Sequence, residues 1–226
     1  MRMFWIALVV LLSAVPAQAE EKRITVTGSG QVSVEPNMAT VHVSVVADGT
    51  TAAEALSENS DLMAAVFSRL DQHGVVGADR QTSGLSLYPI RDQSSLQKHN
   101  RPEFVGFSAR NSLSLRLRNL DEVGDVLDGL VSQGINGIDS LQFGVDDPKP
   151  HLDEARRLAV QDALGKATIY AEAAGVKTGA VTQISEQGSA GGPQPMQMAE
   201  AAMRAVPVAA GEVGFSAQIM LVIELE

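Results

Sequence analysis

Cysteine is absent from this chain of 226 residues. Without thiols the chain can form no disulfide, no iron–sulfur cluster and no zinc site with cysteine ligands, and thiolate catalysis is excluded as well. A lipid anchor of the lipoprotein type is excluded for the same reason, because that anchor needs a cysteine directly after the signal sequence.

Basic residues and histidines are also few. The chain has 17 Lys and Arg against 27 Asp and Glu, a formal net charge of −10. No basic stripe is available to neutralise phosphates, which excludes nucleic acid as a partner and argues against docking on an anionic membrane. No two of the four histidines have a metal-ligand spacing, so we expect no metal and no other cofactor. These are His42, His73, His99 and His151.

Long hydrophobic runs are missing too. The longest, residues 4–15, has twelve residues and falls short of the roughly 20 that a membrane span needs. It follows the charged Arg2 and precedes the A-x-A tripeptide at residues 17–19, the pattern of a secretory signal peptide. We therefore expect residues 1–19 to be removed between Ala19 and Glu20. The mature protein would be periplasmic, with no stable membrane span.

Three amphipathic helices are predicted, and the longest covers residues 151–174. Its apolar stripe is mostly alanine, so we expect it to lie flat and close on a sheet. Each helix ends in a glycine followed by a β-branched residue, which predicts a Schellman ending and a repeated helix–glycine–strand unit. The pairs are Gly74-Val75, Gly134-Ile135 and Gly175-Val176.

Alternating apolar and polar residues predict the strands, with one face buried and one wet, as in an antiparallel sheet. The first two strands, residues 24–34 and 40–46, are interpreted as a hairpin, and Gly28-Ser29-Gly30 as a bulge or bend. The predicted fold class is α+β, an antiparallel-rich sheet with helices on one face. Residues 20–226 form one domain, within which residues 188–211, rich in Gly, Pro, Ala and Met, form a flexible loop.

Four segments in this order give the chain a family resemblance. They are ITVTGSGQVSVEPNMATVHVSV, DRQTSGLSLYP, EARRLAVQDALGKATIYAEAAGV and GEVGFSAQIMLVIEL. The chain resembles the SIMPL-domain family over residues 23–226, including YggE-like oxidative-stress proteins and periplasmic immunogenic proteins. It departs at Ala210-Gly211, where the family often has Pro-Gly. The resemblance implies an α+β fold, a periplasmic location and ring-like homo-oligomers, and it implies no established catalytic residue.

Polar residues within the helices have two interpretations. Asn59 lies on an apolar stripe and would contact a ligand or, as we favour, bond to the backbone as a buried amide. Asp162 and Lys166 form an i,i+4 pair, which is typical of a solvated helix face.

Ser29 lies between glycines, but the stretch is not G-x-S-x-G and no helix follows it, so no nucleophile is expected there.

Five residues are predicted to form an interface between copies. The final strand, residues 215–225, is long and has no proline, so we expect Phe215 and Ile219 to lie in an exposed edge that pairs with another copy. Its alternative position is the centre of the monomer's own sheet, between the predicted hairpin and residues 103–118. Met196, Met198 and Met203 would add an apolar contact, or else bind copper(I) as soft ligands.

The resemblance thus implies a non-enzymatic, self-assembling protein of the cell envelope with a role in protection against oxidative or envelope stress. The alternative is a periplasmic binding or adaptor module for a small ligand or protein partner, using a groove beside residues 188–211. No residue pattern recommends a hydrolase.

Overall fold

The computed structural model describes residues 22–95, 102–187, 194–196 and 210–226. Within these ranges, two antiparallel sheets carry three helices, and the predicted α+β class is confirmed. The strands are β1 (Arg23–Val34), β2 (Met38–Gly49), β3 (Arg80–Asp92), β4 (Glu103–Leu117), β5 (Gly137–Gly144), β6 (Thr178–Glu186), β7 (Gln194–Met196) and β8 (Glu212–Leu225). The helices are α1 (Ala52–Gln72), α2 (Val123–Ser132) and α3 (Lys149–Ala173). None of the helices in these ranges is both long and apolar enough to cross a membrane.

Each sheet is named here after a central strand. The β8 sheet has the order β1-β8-β6, with β7 pairing the other end of β8. The β4 sheet has the order β3-β4-β2-β5. Alternate side chains of β2 and β4 are fully buried beneath α1 and α2, because strand side chains alternate between the two faces. They include Val41, Val43, Val45, Leu113 and Leu115.

The predicted hairpin of the first two strands is wrong, because β1 and β2 belong to different sheets. β1 pairs with β8 from Arg23 opposite Glu224 to Val34 opposite Val213. The turn between β1 and β2 is held by β5 instead. The N–H of Asn37 donates to the Gly144 carbonyl at 3.0 Å, and its side-chain oxygen accepts from the Asp146 N–H at 2.9 Å. These two bonds direct the chain into the β4 sheet.

The predicted bulge at Gly28 and Gly30 is also wrong, since β1 pairs with β8 without any shift in register. Both glycines instead face the alanine stripe of α3. A Cβ on Gly28 would lie 2.0 Å from the carbonyl oxygen of Ala159, and one on Gly30 would lie 2.0 Å from that of Ala155. The expected flat packing of this helix on strands is therefore confirmed. It depends on small residues in the strand as well as in the helix.

All three helices end as predicted. Gly74, Gly134 and Gly175 have φ angles of 70°, 113° and 71°, in the left-handed region that favours glycine. In each case the next residue donates its N–H to the carbonyl five residues earlier, which is the Schellman bond. These bonds join Val75 to Leu70 (2.9 Å), Ile135 to Leu130 (3.1 Å) and Val176 to Ala171 (3.0 Å). A wider repeat of helix–glycine–strand units stays a prediction.

The last strand, β8, is central in its sheet, with β1 on one side and β6 and β7 on the other. The prediction of an exposed edge there is wrong. Its alternative is right about the central position but wrong about the neighbours, because residues 103–117 lie in the other sheet. Phe215 is 0 % exposed and Ile219 is 4 % exposed, because every second side chain of β8 is buried in the core. These two side chains are not available to contact another copy. An alternating pattern identifies a strand but carries no information about its neighbours.

Candidate functional site

An open cleft lies where α1 ends beside the last residues of β4. Its polar lining comes from His73, Asp79, Arg116, Arg118 and Glu122, and we call it the Arg118 cleft. His73 is the C-cap of α1, and Asp79 ends the short 3-10 helix Gly77–Asp79 that leads into β3. The cleft therefore gathers two segments that are distant in sequence, residues 73–79 and residues 116–126.

Arg118 binds two carboxylates. Its Nε donates to Oδ2 of Asp79 at 3.2 Å and its Nη2 donates to Oδ1 at 3.1 Å, a bidentate pair. Its Nη1 donates to Asp146, in the link between β5 and α3. The hydrogen bond from Arg118 lowers the pKa of Asp79, and the bonds to Asp79 and Asp146 raise the pKa of Arg118. Asp79 and Arg118 therefore stay charged, and two carboxylates lie against the one guanidinium.

The cleft is small and its cations are occupied. Its volume is about 160 Å³, below the ~300 Å³ at which pockets for drug-sized ligands begin. Arg116 donates to the Ala78 carbonyl. Nε2 of His73 is buried without a hydrogen-bond partner among the described residues, so no hydroxyl is paired with it there as an activated nucleophile. Across the same ranges, no group of three or more His, Cys, Asp or Glu is arranged to hold a metal ion. This geometry fits a junction between elements better than a catalytic centre.

A different surface is more open. Five large apolar side chains of β3 and β4 are between 40 % and 63 % exposed, and we call them the apolar arm. Two causes expose them: α1 packs on β2 and β4 but leaves the outer strand β3 uncovered, and β2 ends at Gly49, opposite Phe107. Beyond that point β3 and β4 continue as a projecting ribbon, in which Asp92 lies opposite Glu103. The arm consists of Leu85, Leu87, Tyr88, Phe104 and Val105.

Large apolar side chains exposed close together on two paired strands are unusual on a monomeric protein and mark interaction surfaces, although Leu87 and Tyr88, as consecutive strand residues, point to opposite faces of this pair. The ring of Phe104 meets that of Phe107 edge-on, with centroids 5.2 Å apart, which fixes part of the arm. Among the described residues, the arm is therefore the surface whose chemistry best fits association with another protein.

The methionines predicted at an interface have a different status from Phe215 and Ile219. The backbone of Met196 lies in β7, opposite Glu212 of β8. Met198 and Met203 lie outside the described residues, as do the predicted cleavage residues Ala19 and Glu20. The methionine contact, the copper alternative and the cleavage site all stay predictions.

The preferred interpretation of Asn59 is confirmed. Its side chain is 2 % exposed, and its amide nitrogen donates to the carbonyls of Val45 at 2.9 Å and Ala109 at 3.1 Å. Asn59 therefore ties α1 to β2 and β4 by satisfying backbone groups. Of the histidines, His151 stacks on the ring of Phe215 with centroids 5.3 Å apart, and His99 lies outside the described residues.

The predicted i,i+4 pair of Asp162 and Lys166 is confirmed, but its helix face is not simply solvated, because both side chains also bond to β1. Oδ2 of Asp162 accepts the backbone N–H of Ser29 at 2.8 Å, and Nζ of Lys166 donates to the Thr27 carbonyl at 3.1 Å. The two side chains are 2.6 Å apart. They reach the strand because α3 lies along the outer edge of β1, a contact that no spacing within the helix reveals.

The sequence interpretation missed both the cleft and the arm. Asp79 and Asp146 are separated from Arg118 by 39 and 28 residues, and nothing local signals such a pairing. For the arm one signal was present: Phe104 and Val105 are consecutive apolar residues, which breaks the alternation of the strand.

Known proteins match the chain along nearly its whole length. The model of the SIMPL family, described as protein of unknown function (DUF541), matches residues 24–223. The 26 kDa periplasmic immunogenic protein of Brucella melitensis is 34 % identical over 231 residues, covering 94 % of this chain and 91 % of that protein. The uncharacterized protein YggE of Escherichia coli is 29 % identical over 226 residues, covering 95 % and 89 %. The resemblance seen in the sequence is thus confirmed.

Proposed function

Since this chain belongs to the SIMPL family, we propose that it works in the periplasm and assembles with copies of itself through the apolar arm. The predicted signal peptide and the name of the Brucella relative support the location. The role that we assign is non-enzymatic protection of the cell envelope against oxidative or other stress.

The apolar arm is the observation that carries the assembly. Burying a large apolar side chain completely contributes about 1.5–3 kcal/mol, so covering the five half-exposed ones on each of two copies contributes about 10 kcal/mol in all. Association costs at least about 4 kcal/mol in lost freedom of motion, and a micromolar dissociation constant corresponds to about 8 kcal/mol, so polar contacts around the arm must supply the remainder. We therefore expect assembly at micromolar rather than nanomolar concentrations.

Light scattering after size-exclusion chromatography tests the assembly on residues 20–226. At tens of micromolar and physiological salt, we expect a mass that is a multiple of one chain. Replacing Phe104 and Val105 by Glu should reduce it to the mass of one chain. Ile169→Glu is the matched control, because Ile169 is 64 % exposed on α3, outside the arm, and should leave the mass unchanged. A monomeric wild-type protein under these conditions would contradict the proposal.

Growth of a deletion strain tests the protective role. We expect this strain to survive hydrogen peroxide or an envelope-damaging detergent less well than its parent. The wild-type gene should restore survival, and the gene carrying the two arm substitutions should not. Equal survival of parent and deletion strain under both treatments would remove the stress role and leave only the assembly.

A binding or adaptor module is the second candidate, and the Arg118 cleft favours it. The cleft holds Nε2 of His73, which has no hydrogen-bond partner among the described residues, together with Arg116. A panel of small carboxylates and amines, screened by thermal melting, tests this function. A melting shift that Arg116→Ala abolishes would support binding at the cleft, and the absence of any shift would count against it.

A further inference from the structure

β1 presents the longest regular outer edge among the described strands. Its twelve residues pair with β8 without a shift, and none of the other described strands pairs with its second side. In an antiparallel strand every second residue directs its N–H and C=O away from the paired neighbour. Such an edge pairs with other chains unless some device blunts it.

Other outer strands in the described ranges have irregular backbones that hinder pairing with another strand. β3 carries an extra residue at Ser83 and a proline at Pro89. β6 shifts register twice, between Thr178 and Val181 and between Val181 and Gln183. Bulges and prolines both prevent a regular ladder from forming on an edge. β1 has neither, and it has no charged residue from Ile24 to Val34.

Two side chains of α3 occupy the edge of β1 instead. Asp162 accepts the N–H of Ser29, and Lys166 donates to the C=O of Thr27. These backbone groups point outward, on either side of Gly28. A carboxylate and an ammonium one helical turn apart thus take the places that a neighbouring strand's C=O and N–H would take.

The close approach of α3 makes this arrangement possible. Gly28 lets the helix backbone come within a distance that any β carbon would prevent. The short side chain of Asp162 can then reach the strand. The hydrogen bond from Lys166, followed by that from the Ser29 N–H, lowers the pKa of Asp162, so its carboxylate remains an ionised acceptor at neutral pH.

We propose that Asp162 and Lys166 lock the outer edge of β1, and that the edge opens to β1 of a second copy when the lock is removed. A second copy is the partner because its β1 is equally regular, uncharged and free of proline. Two such edges can pair antiparallel about a two-fold axis, without repulsion between charges. This contact is separate from the apolar arm.

The test compares two double variants of residues 20–226. Asp162→Ala with Lys166→Ala removes the lock. Lys149→Ala with Asp153→Ala is the matched control, because that pair lies on the same helix with the same charges, 2.7 Å apart. Amide hydrogen exchange at Ser29 should become about tenfold faster in the lock variant, as expected for a lost hydrogen bond, and stay unchanged in the control.

Sedimentation measures the second part of the proposal. Relative to the wild-type protein at the same concentration, the lock variant should sediment with at least twice the mass. Adding Ser29→Pro removes the outward N–H and should return the mass to the wild-type value, because proline is tolerated only on the open side of an edge strand. If the lock variant does not fold, Lys166→Met keeps the packing, removes one bond and is measured in the same way.

Three results would overturn the proposal. Unchanged exchange at Ser29 would show that no lock exists, and faster exchange with unchanged mass would remove the second copy as partner. An equal mass increase in the control variant would point to loss of charge instead. The result for the apolar arm is read separately, from the mass of the wild-type protein alone.

Discussion

A Cβ on Gly28 would lie 2.0 Å from the carbonyl oxygen of Ala159, closer than any two such atoms can approach. Gly28 and Ala159 belong to β1 and α3, which pack with almost no side chain between them. The helix can lie at this distance because the facing residues of both elements are small. An atom added to either element must shift the backbone of β1 or of α3.

Gly28→Ala should therefore destabilise the protein. We expect a loss of about 2–4 kcal/mol in the free energy of unfolding, at the upper end for overpacked cores, because the clash is with backbone. The midpoint of urea denaturation measures it. Gly84→Ala is the control, because it lies in strand β3 with nothing within 4 Å among the described residues. Equal midpoints for the two variants would show that α3 can move away at no cost.

Gly175→Val tests the end of α3. The φ angle of Gly175 is 71°, and a β carbon would meet no described atom within 4 Å, so the cost comes only from the backbone. We expect about 1–2 kcal/mol, the penalty for a left-handed residue other than glycine. Gly165→Ala within the same helix should instead stabilise by about 0.5–1 kcal/mol. An unchanged urea midpoint in Gly175→Val would contradict the Schellman ending.

Asn59→Leu tests the buried amide. The variant keeps a similar volume but leaves the Val45 and Ala109 carbonyls without their donor. Leaving buried acceptors unsatisfied costs about 1–3 kcal/mol each, so we expect a loss of about 2–4 kcal/mol with partial rescue by water. Thermal melting and urea denaturation both measure it. A variant as stable as the wild-type protein would mean that the two carbonyls find other donors.

Acid should remove the stabilisation that the Arg118–Asp79 pair gives to the folded protein. Because Arg118 lowers the pKa of Asp79 in the folded protein, this pair stabilises fully above the pKa of an unfolded aspartate, about 3.9. The stabilisation is lost as the pH falls below that value through the lowered pKa. Urea midpoints at several pH values between neutral and strongly acid should therefore fall less steeply in Asp79→Asn. In an Arg118→Gln background the same replacement should have little further effect, and an undiminished effect there would assign the low pKa to another group.

Local features were predictable and long-range ones were not. The Schellman bond at Gly74 joins Val75 to Leu70, within six residues, so the sequence contained the whole motif. Asn59 was interpretable for the same kind of reason, since an amide on an apolar stripe must find a partner. By contrast, the residues around Gly28 would look the same whether the glycine formed a bulge or lay beneath a helix. A glycine is needed there because of Ala159, which is 131 positions away in the sequence.

The prediction that Phe215 and Ile219 lie at an exposed edge failed in the same way. Phe215 lies in an alternating pattern that correctly identified a strand. Whether that strand is central or at an edge depends on β1 and β6, and the alternation of Phe215 is identical in both cases. The exposure of Phe104 and Val105 likewise depends on where β2 ends.

The central position of β8 has a consequence for how the molecule folds. β1 is the first strand of the described chain and β8 the last, yet Arg23 lies opposite Glu224. Until β8 has paired, β1 and β6 are not joined in one sheet. The alanine stripe of α3 can then pack only on β1 and not on β8. A topology with such distant pairings folds slowly, since a long loop must close before any contact compensates for its entropy. For the export proposed above this delay would be an advantage, because the β8 sheet cannot close until its middle strand is present.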